Sequence, residues 1–198
     1  MYAVKSFVND PVDSVTYVVS NNDSLKAIII DPGTENDSRI TDYLHKAKIV
    51  PECILLTHEH FDHILGVNYL REFYSGIKLA TSLKTSIRLP QVKKNLSVFY
   101  NQTSLVVDEA DIIIEEGSYV FAELPVKVYH TPGHTDSSLT FIIDRSIFSG
   151  DFLLPSVRPV TNLPTGSRTA YQESSDKIRS LFEGCTIYPG HGACYKLE

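Results

Sequence analysis

The sequence predicts an α/β fold, and two patterns carry this prediction. In the first, a short apolar run at 53–56 leads into a loop rich in histidine and then into an amphipathic stretch at 64–74. Strand, loop and helix in this order are typical of α/β sheets, whose ligand sites form outside the carboxyl ends of the strands. In the second, strand-like runs follow one another from residue 112 to residue 149. We therefore expect the histidine-rich loop to lie at the edge of a β-sheet.

Each element of the first half is predicted by its own local pattern. Short runs enriched in valine and isoleucine and bounded by turn residues indicate strands, and apolar residues three or four positions apart indicate helices. The strands are expected at 2–8, 14–20, 25–31, 53–57 and 77–80. The helices are expected after an N-cap at Asp37 or Ser38, at 62–74 and at 82–89.

The second half is predicted to consist mostly of strands. They are expected at 112–114, 118–123, 125–130, 138–143, 146–149 and 185–188, with one helix from Arg168 to Phe182. Residues 90–111 lack a clear pattern and are either a surface connection or a loop beside a substrate cleft. Residues 152–167 are expected to form a loop that contains three prolines.

The composition is that of an ordinary globular protein, with one domain expected over residues 1–198. Hydrophobic residues make up 42% of the chain and charged residues 21%. The net charge of −6, without a basic cluster, argues against nucleic-acid binding. No apolar stretch approaches the length of a membrane span, no signal peptide is visible, and three cysteines do not suggest a disulfide framework. We expect a cytoplasmic protein that acts on a small molecule, without nucleic-acid or membrane partners.

The loop at 57–63 carries the residues that point to a chemical function. Three of the seven histidines and two carboxylates fall within the segment Thr-His-Glu-His-Phe-Asp-His. His58 and His60 are two positions apart, so their rings point the same way in an extended segment. Asp62 and His63 can face the same pocket from the following turn. Because neutral imidazole and carboxylate bind zinc and other divalent metals, the sequence predicts a metal site here.

Other strand ends supply matching residues, which argues against the alternative that this loop is only a solvated turn. His134 and His191 each follow a proline and a glycine after an apolar run, and Asp151 follows Ser-Gly in the same way. Four strand ends would therefore deliver histidine or aspartate to one rim.

Taken together, these motifs resemble those of the metallo-β-lactamase superfamily, and within it the short glyoxalase II (hydroxyacylglutathione hydrolase)-like branch. The matching segments are T-H-x-H-x-D-H at 57–63, T-P-G-H-T at 131–135, S-G-D at 149–151, P-G-H-G at 189–192 and I-D-P-G at 30–33. The resemblance implies a four-layer αββα sandwich, in which two mixed β-sheets face each other with helices outside and metals at one edge.

The resemblance also implies ligands for two divalent ions, with zinc expected and iron or manganese as alternatives. The first ion would be held by His58, His60 and His134, the second by Asp62, His63 and His191, and Asp151 would bridge both. Asp62 is also the expected catalytic residue, and Asp31 is expected to support the site from beneath without binding metal. His45 is expected to be a surface histidine and His130 a structural one.

This ligand set implies a binuclear hydrolase in which metal-activated hydroxide attacks a small thioester or ester. Two alternatives stay open: a mononuclear iron persulfide dioxygenase that uses a subset of the same ligands, and a metal-binding domain without turnover. Asp151 points away from the β-lactamases that have a cysteine ligand at this position.

Glutathione recognition is not implied, because the chain departs from the glyoxalase II-like pattern. Because the sequence ends just after the motif of His191, we expect no C-terminal helical domain of the kind that grips glutathione, and Pro-Val-Thr-Asn at 159–162 stands where the short branch often has Gly-Arg before Thr-Asp. Leu154 stands where lactonases of this fold have tyrosine. Arg158 is either a residue that binds an anionic substrate group or an exposed surface arginine.

Overall fold

A computed structural model of the protein describes residues 1–100, 105–178, 181 and 183–196. Within these residues the strands form two six-stranded sheets. The first sheet consists of β1 (Tyr2–Val8), β2 (Val15–Asn21), β3 (Lys26–Ile30), β4 (Val50–Leu55), β5 (Lys78–Thr81) and β6 (Ile112–Ile113). The second consists of β7 (Gly117–Phe121), β8 (Leu124–His130), β9 (Leu139–Ile143), β10 (Ser146–Gly150), β11 (Thr186–Pro189) and β12 (Tyr195–Lys196).

Both sheets are mixed. In the first, the strands lie in chain order, β1 to β3 pair antiparallel, and β3 to β6 pair parallel. In the second, the order is β12-β11-β10-β9-β8-β7. There β10 pairs parallel with β11, and the other described strand pairs of this sheet are antiparallel. The carboxyl ends of β3, β4 and β5 therefore share one edge of the first sheet, and those of β10 and β11 share one edge of the second.

Helices cover the outer face of each sheet. They are α1 (Ser38–Ala47), α2 (Phe61–Ile64), α3 (Val67–Phe73), α4 (Leu83–Arg88) and α5 (Arg168–Ile178), with a 3₁₀ helix at Ser97–Tyr100. The Asp37 side chain caps α1 by accepting a hydrogen bond from the Arg39 N–H, and Ser82 caps α4 by accepting one from Thr85.

Three apolar clusters separate the layers and confirm the predicted αββα sandwich. Alternate residues of a strand point to opposite faces of its sheet. In β3, Ile29 packs toward the helices of the first sheet, while Ile30 packs between the two sheets. In β10, Ile147 packs against Ile178 of α5, while Phe148 packs between the sheets. Both faces of each sheet are thus buried, so the candidate site lies at the edge where the strands end and not on a face of a sheet.

The predicted helix at 62–74 is wrong as a single helix, because the chain forms α2 and α3 with a break at Gly66. The Asp62 carbonyl accepts a hydrogen bond from the Ser14 hydroxyl at 2.5 Å. The Gly66 N–H donates to the Pro32 carbonyl at 2.8 Å. Since both partners of the helical bond between residues 62 and 66 are used by distant segments, the helix is interrupted there.

Smaller differences concern the ends of elements. β4 begins at Val50 rather than at residue 53, and β12 was not predicted. α5 begins at Arg168 as predicted, but its predicted end at Phe182 lies outside the described residues. In the part of the chain that the structure describes, none of the helices combines the length and the apolar character needed to cross a membrane.

Candidate metal centre

The candidate metal centre lies where the segments that follow four strands meet. β4 leads to the loop with His58, β8 to His134, β10 to Asp151 and β11 to His191. The structure brings all seven predicted ligands together at this edge. Five of them are buried, and Asp151 and His191 are partly exposed.

His58, His60 and His134 form the first of two ligand groups. One nitrogen from each ring lies within 4.8 Å of the others, and His60 Nδ1 is 2.9 Å from His134 Nε2. The rings of His58 and His60 are 4.6 Å apart between centroids. Three imidazoles in this arrangement can hold one divalent cation.

Asp62, His63 and His191 form the second group, in which one ligand atom from each residue again lies within 4.8 Å of the others. Asp62 Oδ2 is 3.2 Å from His191 Nε2 and 3.5 Å from His63 Nε2. Asp62 and His63 lie in the single turn of α2, and the hydrogen bond from Ser14 holds the Asp62 backbone. This group combines nitrogen and oxygen donors.

The Asp151 carboxylate lies between the two groups. Its Oδ1 is 3.4 Å from His63 Nε2 in the second group. Its Oδ2 is 3.4 Å from His134 Nε2 in the first group and 3.6 Å from His191 Nε2 in the second. One carboxylate thus faces ligand nitrogens of both groups.

The chemistry of the buried atoms fits divalent cations. Among the described residues, His58 Nε2, His63 Nε2 and Asp151 Oδ1 are buried without any hydrogen-bond partner. A buried polar atom without a partner costs about 1–3 kcal/mol, and a cation bound among them would satisfy all three. With nitrogen and oxygen donors in two adjoining groups, these residues fit two divalent ions.

Hydrogen bonds behind the rings determine which nitrogens face the centre. Thr57 Oγ1 donates to Asp31 Oδ2 at 2.6 Å, so His58 Nδ1, 3.0 Å from the same hydroxyl, must donate to it. His134 Nδ1 donates to the Val160 carbonyl at 2.8 Å. Both rings therefore present an unprotonated Nε2 to the centre, an arrangement typical of metal-binding histidines.

Asp31 lies behind the ligands, and its side chain is 3% exposed. Its Oδ1 accepts a hydrogen bond from the Thr57 N–H at 2.8 Å, and its Oδ2 accepts one from His63 Nδ1 at 3.0 Å. Asp31, His58 and His63 are also close enough together to hold a metal. These hydrogen bonds account for that proximity, because Asp31 faces the protonated nitrogen of His63, opposite the one that faces the centre.

Burial and neighbouring charges set the pKa values of the ligand histidines. Burial, together with the positive charge of neighbouring histidines, lowers the pKa of His58 and lowers that of His60 to about 3. Both rings are therefore neutral at pH 7 and keep a lone pair for a cation. Burial also acts to lower the pKa of His63, but the charges of Asp62 and Asp151 outweigh it and raise that pKa well above its ordinary value. Cation binding would therefore displace a proton from His63.

Steric contacts explain why the Pro-Gly-His segment at 189–191 contains glycine. A Cβ atom at Gly190 would lie 2.1 Å from Asp151 Oδ1 and 2.9 Å from His63 Cε1. Any larger residue would occupy the space in which these two side chains meet. The centre therefore requires glycine for this close approach of the backbone.

The two histidines that were not predicted to bind metal, and the predicted substrate residue Arg158, lie outside the ligand groups. His45 is exposed on α1, and His130 Nε2 is 3.1 Å from the Asp136 carbonyl, within the loop that carries His134. Arg158 is exposed in the loop after Asp151. The same loop reaches the centre through the Val160 carbonyl, and substrate binding by Arg158 stays a prediction.

The segment at 90–111 lies beside the centre, which favours the interpretation as a loop near a cleft. The Phe61 N–H donates to the Asn95 carbonyl at 2.8 Å. The Phe61 ring stacks on Tyr100 with 4.4 Å between centroids, and Tyr100 remains 51% exposed. Phe61 directly follows His60, so this segment covers one side of the ligand loop. Residues 101–104 lie outside the described part of the chain.

Sequence reasoning missed the contacts that Ser14 and Arg88 make with the ligand segment. Ser14 holds the Asp62 carbonyl, and the buried Glu59 pairs with Arg88. The sequence contains one signal for the second contact. Glu59 lies between two predicted ligands after a buried strand, where a charged side chain requires a partner.

Comparisons with known proteins agree with this geometry. A family model described as the metallo-beta-lactamase superfamily matches residues 9–191. A beta-lactamase hydrolase-like protein of Agrobacterium fabrum is 30% identical over 204 residues, which cover 95% of this chain and 46% of that protein. The human mitochondrial persulfide dioxygenase ETHE1 is 28% identical over 187 residues, which cover 92% of this chain and 65% of that protein. The crystal structure of the BLEG-1 B3 metallo-beta-lactamase superposes with a TM-score of 0.90 at 29% identity, covering 98% of this chain and 93% of that one.

The chain thus spans 46% and 65% of the length of these two relatives. The match therefore covers only a part of each relative. Activities that belong to the whole of a longer relative do not follow from it.

Proposed function

The chain belongs to the metallo-β-lactamase superfamily, and from this premise we propose that it is a binuclear metal-dependent hydrolase of a small thioester or ester. The observation that carries the proposal is the position of Asp151 between two ligand groups. Two cations about 3.5–4 Å apart repel each other strongly. The Asp151 carboxylate, which faces nitrogens of both groups, would offset that repulsion with its negative charge, which a neutral histidine cannot do.

The bound ions would polarise the substrate carbonyl and lower the pKa of water, from about 15.7 to about 7 in favourable sites. Zinc is the ion that we propose, with iron or manganese as alternatives. The side chains of two ligand groups would hold the ions. His58, His60 and His134 would hold the first ion, and Asp62, His63 and His191 the second.

Asp62 is the residue that we propose for a direct catalytic role. It directs Oδ2 toward His191, so its other oxygen can accept a hydrogen bond from the attacking water and orient it. Asp31 would fix His63 from behind, and the Val160 carbonyl would fix His134. Since both ligand rings are already hydrogen bonded to these outer partners, they need little reorganisation when they act.

A second candidate function is a mononuclear iron persulfide dioxygenase. Two histidines and one carboxylate on one face are typical of non-haem iron oxygenases, and Asp62, His63 and His191 offer such a set. The name of the human relative points the same way. A third candidate, a metal-binding domain without turnover, uses the same ligands and lacks only the reaction.

Metal analysis and a substrate panel distinguish these candidates. The protein would be purified without added metal and assayed for metal content, and then tested with S-lactoylglutathione, simple thioesters, esters, a β-lactam and a persulfide with oxygen. About two ions and release of a thiol or acid support the hydrolase. One iron with oxygen uptake supports the dioxygenase, and no turnover of any compound supports the binding domain.

Asp151→Asn tests the bridging role on which the binuclear proposal depends. We expect this variant to stay folded, to lose metal preferentially from one of the two positions and to lose most of its hydrolytic activity. His45→Ala changes an exposed histidine of α1 and should alter neither property. Metal content and rate close to normal in Asp151→Asn would refute the bridge.

A further inference from the structure

A partly buried arginine connects the two chain segments that supply the first ligand group. Arg88, at the end of α4, places Nη1 2.8 Å from Glu59 Oε1 and 2.5 Å from Asp136 Oδ1. Its Nη2 is 3.3 Å from Asp136 Oδ2. The Arg88 side chain is 16% exposed and the Glu59 side chain 1% exposed. One guanidinium therefore bridges two carboxylates, and one of them is fully buried.

Glu59 belongs to the segment that carries two of the ligands. It stands between His58 and His60, and in an extended segment its side chain points away from theirs. Its Oε2 accepts hydrogen bonds from Thr85 at 3.2 Å and from Ser137. Every contact of this carboxylate thus leads away from the metal centre, toward α4 and the loop after β8.

Asp136 belongs to the segment that carries the third ligand, two residues after His134. Its carbonyl lies 3.1 Å from His130 Nε2, and its carboxylate is also 2.9 Å from Lys84 Nζ. The next residue, Ser137, contacts Glu59 directly. The loop at 131–138 is therefore joined to the segment of His58 and His60 on the side opposite the ligand nitrogens.

From this arrangement we propose that Arg88 is a positioning residue for the first ion. It sets the separation between the segment of His58 and His60 and the loop of His134. These segments come from different sheets, β4 in the first and β8 in the second, and a metal site tolerates little change in the distance between its ligands. The inference rests on the proposed two-ion centre and adds a residue that touches none of its ligands.

The chemistry of arginine suits this role better than that of lysine. A guanidinium is planar and presents several N–H donors in a fixed fork, so it can hold two carboxylates in one geometry. A lysine ammonium retains the charge but imposes no such geometry. Arg88→Lys therefore separates charge neutralisation from positioning, and Arg88→Met removes both while keeping an unbranched side chain.

The experiment measures ion binding at each position separately. In a His191→Ala background the second group is incomplete, so titration of the apoprotein with Zn²⁺ against a chelating dye reports the first position. In a His60→Ala background the titration reports the second. We expect Arg88→Met to weaken Zn²⁺ binding about 10- to 100-fold in the first background and to leave it unchanged in the second. Arg88→Lys should recover only part of the loss.

Arg71→Met is the matched control. Arg71 lies on α3, is 24% exposed and pairs with Asp111 at 2.8 Å. Arg71→Met therefore removes a similar ion pair at a position away from the ligand segments. It should bind Zn²⁺ normally in both backgrounds. The absorption spectrum of bound Co²⁺ should change for Arg88→Lys in the first background and not for Arg71→Met.

Four outcomes would overturn the inference. Unchanged affinity in the first background, or equal losses in both, means that Arg88 does not position the first group. Full recovery by Arg88→Lys, with an unchanged Co²⁺ spectrum, assigns it a charge role only. If the His191→Ala parent itself binds no ion, the proposed centre is wrong and the inference fails with it. If Arg88→Met does not fold, the comparison of Arg88→Lys with Arg71→Lys decides by the same criteria.

Discussion

Replacing Asp31 tests whether the hydrogen bonds behind the ligands stabilise both the fold and the metal centre. Its carboxylate is buried and accepts hydrogen bonds from the Thr57 N–H, the Thr57 hydroxyl and His63 Nδ1. Asp31 also has a φ of +50°, a left-handed conformation that asparagine tolerates well. Asp31→Asn therefore keeps the size and the backbone while it turns one acceptor oxygen into a donor.

The structure sets the size of the expected effect. A hydrogen bond to a charged group contributes about 1.5–3 kcal/mol, and such bonds to one carboxylate are not additive. Asp31→Ala removes all three acceptor contacts, so we expect the free energy of unfolding to fall by about 3–5 kcal/mol. Asp31→Asn keeps the acceptor for the Thr57 N–H but places an amide beside two donors, and we expect a loss of about 2–3 kcal/mol.

Urea unfolding of the chelator-treated protein measures this loss, and Zn²⁺ titration measures the second effect. Because Asp31 fixes the His63 ring, Asp31→Asn should weaken the ion held by His63 about 10- to 100-fold. Asp37→Ala is the control, since Asp37 is also buried but caps α1. It should cost about 1 kcal/mol and leave Zn²⁺ binding unchanged. If Asp31→Asn unfolds at the wild-type urea concentration and binds both ions normally, the supporting role is wrong.

Two further predictions concern the segments around the centre. Gly33→Ala should lower the free energy of unfolding by about 3 kcal/mol or more, because a new Cβ would lie 1.8 Å from the Asp62 carbonyl and overpacking of this kind forces the backbone to move; a thermal midpoint equal to that of the wild type would contradict this. Asp136 gives a pH dependence: burial acts to raise its pKa, but Arg88 and Lys84 outweigh burial and lower it to about 2. The pKa of Asp136 in the folded state is thus below that in the unfolded state. The ion pairs of Asp136 with Arg88 and Lys84 therefore stabilise the fold above about pH 4, and this contribution is lost as the pH falls toward 2. The difference in unfolding free energy between wild type and Asp136→Asn should therefore close between about pH 4 and pH 2, and a difference that stays constant over this range would exclude the contribution.

The sequence by itself determined the fold class and the residues of the candidate centre. Strands and helices were visible because local alternation and helical spacing record which face of each element is buried. The candidate ligand residues were visible because each follows an apolar run at a strand end, next to glycine or within a dense histidine cluster. These signals are local, so they remain readable in a linear chain.

Local patterns failed where a distant partner changed the outcome. The stretch at 62–74 has helical spacing throughout, yet the hydroxyl of Ser14 and the carbonyl of Pro32 take the bonds that would have joined Asp62 to Gly66. No pattern within that stretch records these partners. Helical spacing therefore predicted the elements but not the break between them.

Only the tertiary structure decided how the ligands are held. Glu59, Arg88 and Asp136 are separated by 29 and 48 positions along the chain. The contact between Arg88 and Asp136 exists because the two sheets fold against each other. Asp31 and His63, which are 32 positions apart, meet because β3 and β4 lie side by side in the first sheet. A buried polar group must find a partner, but the sequence does not specify which one. Local sequence motifs thus identify the chemical types of the candidate ligands, and the positions of these residues depend on contacts that form only when the chain folds.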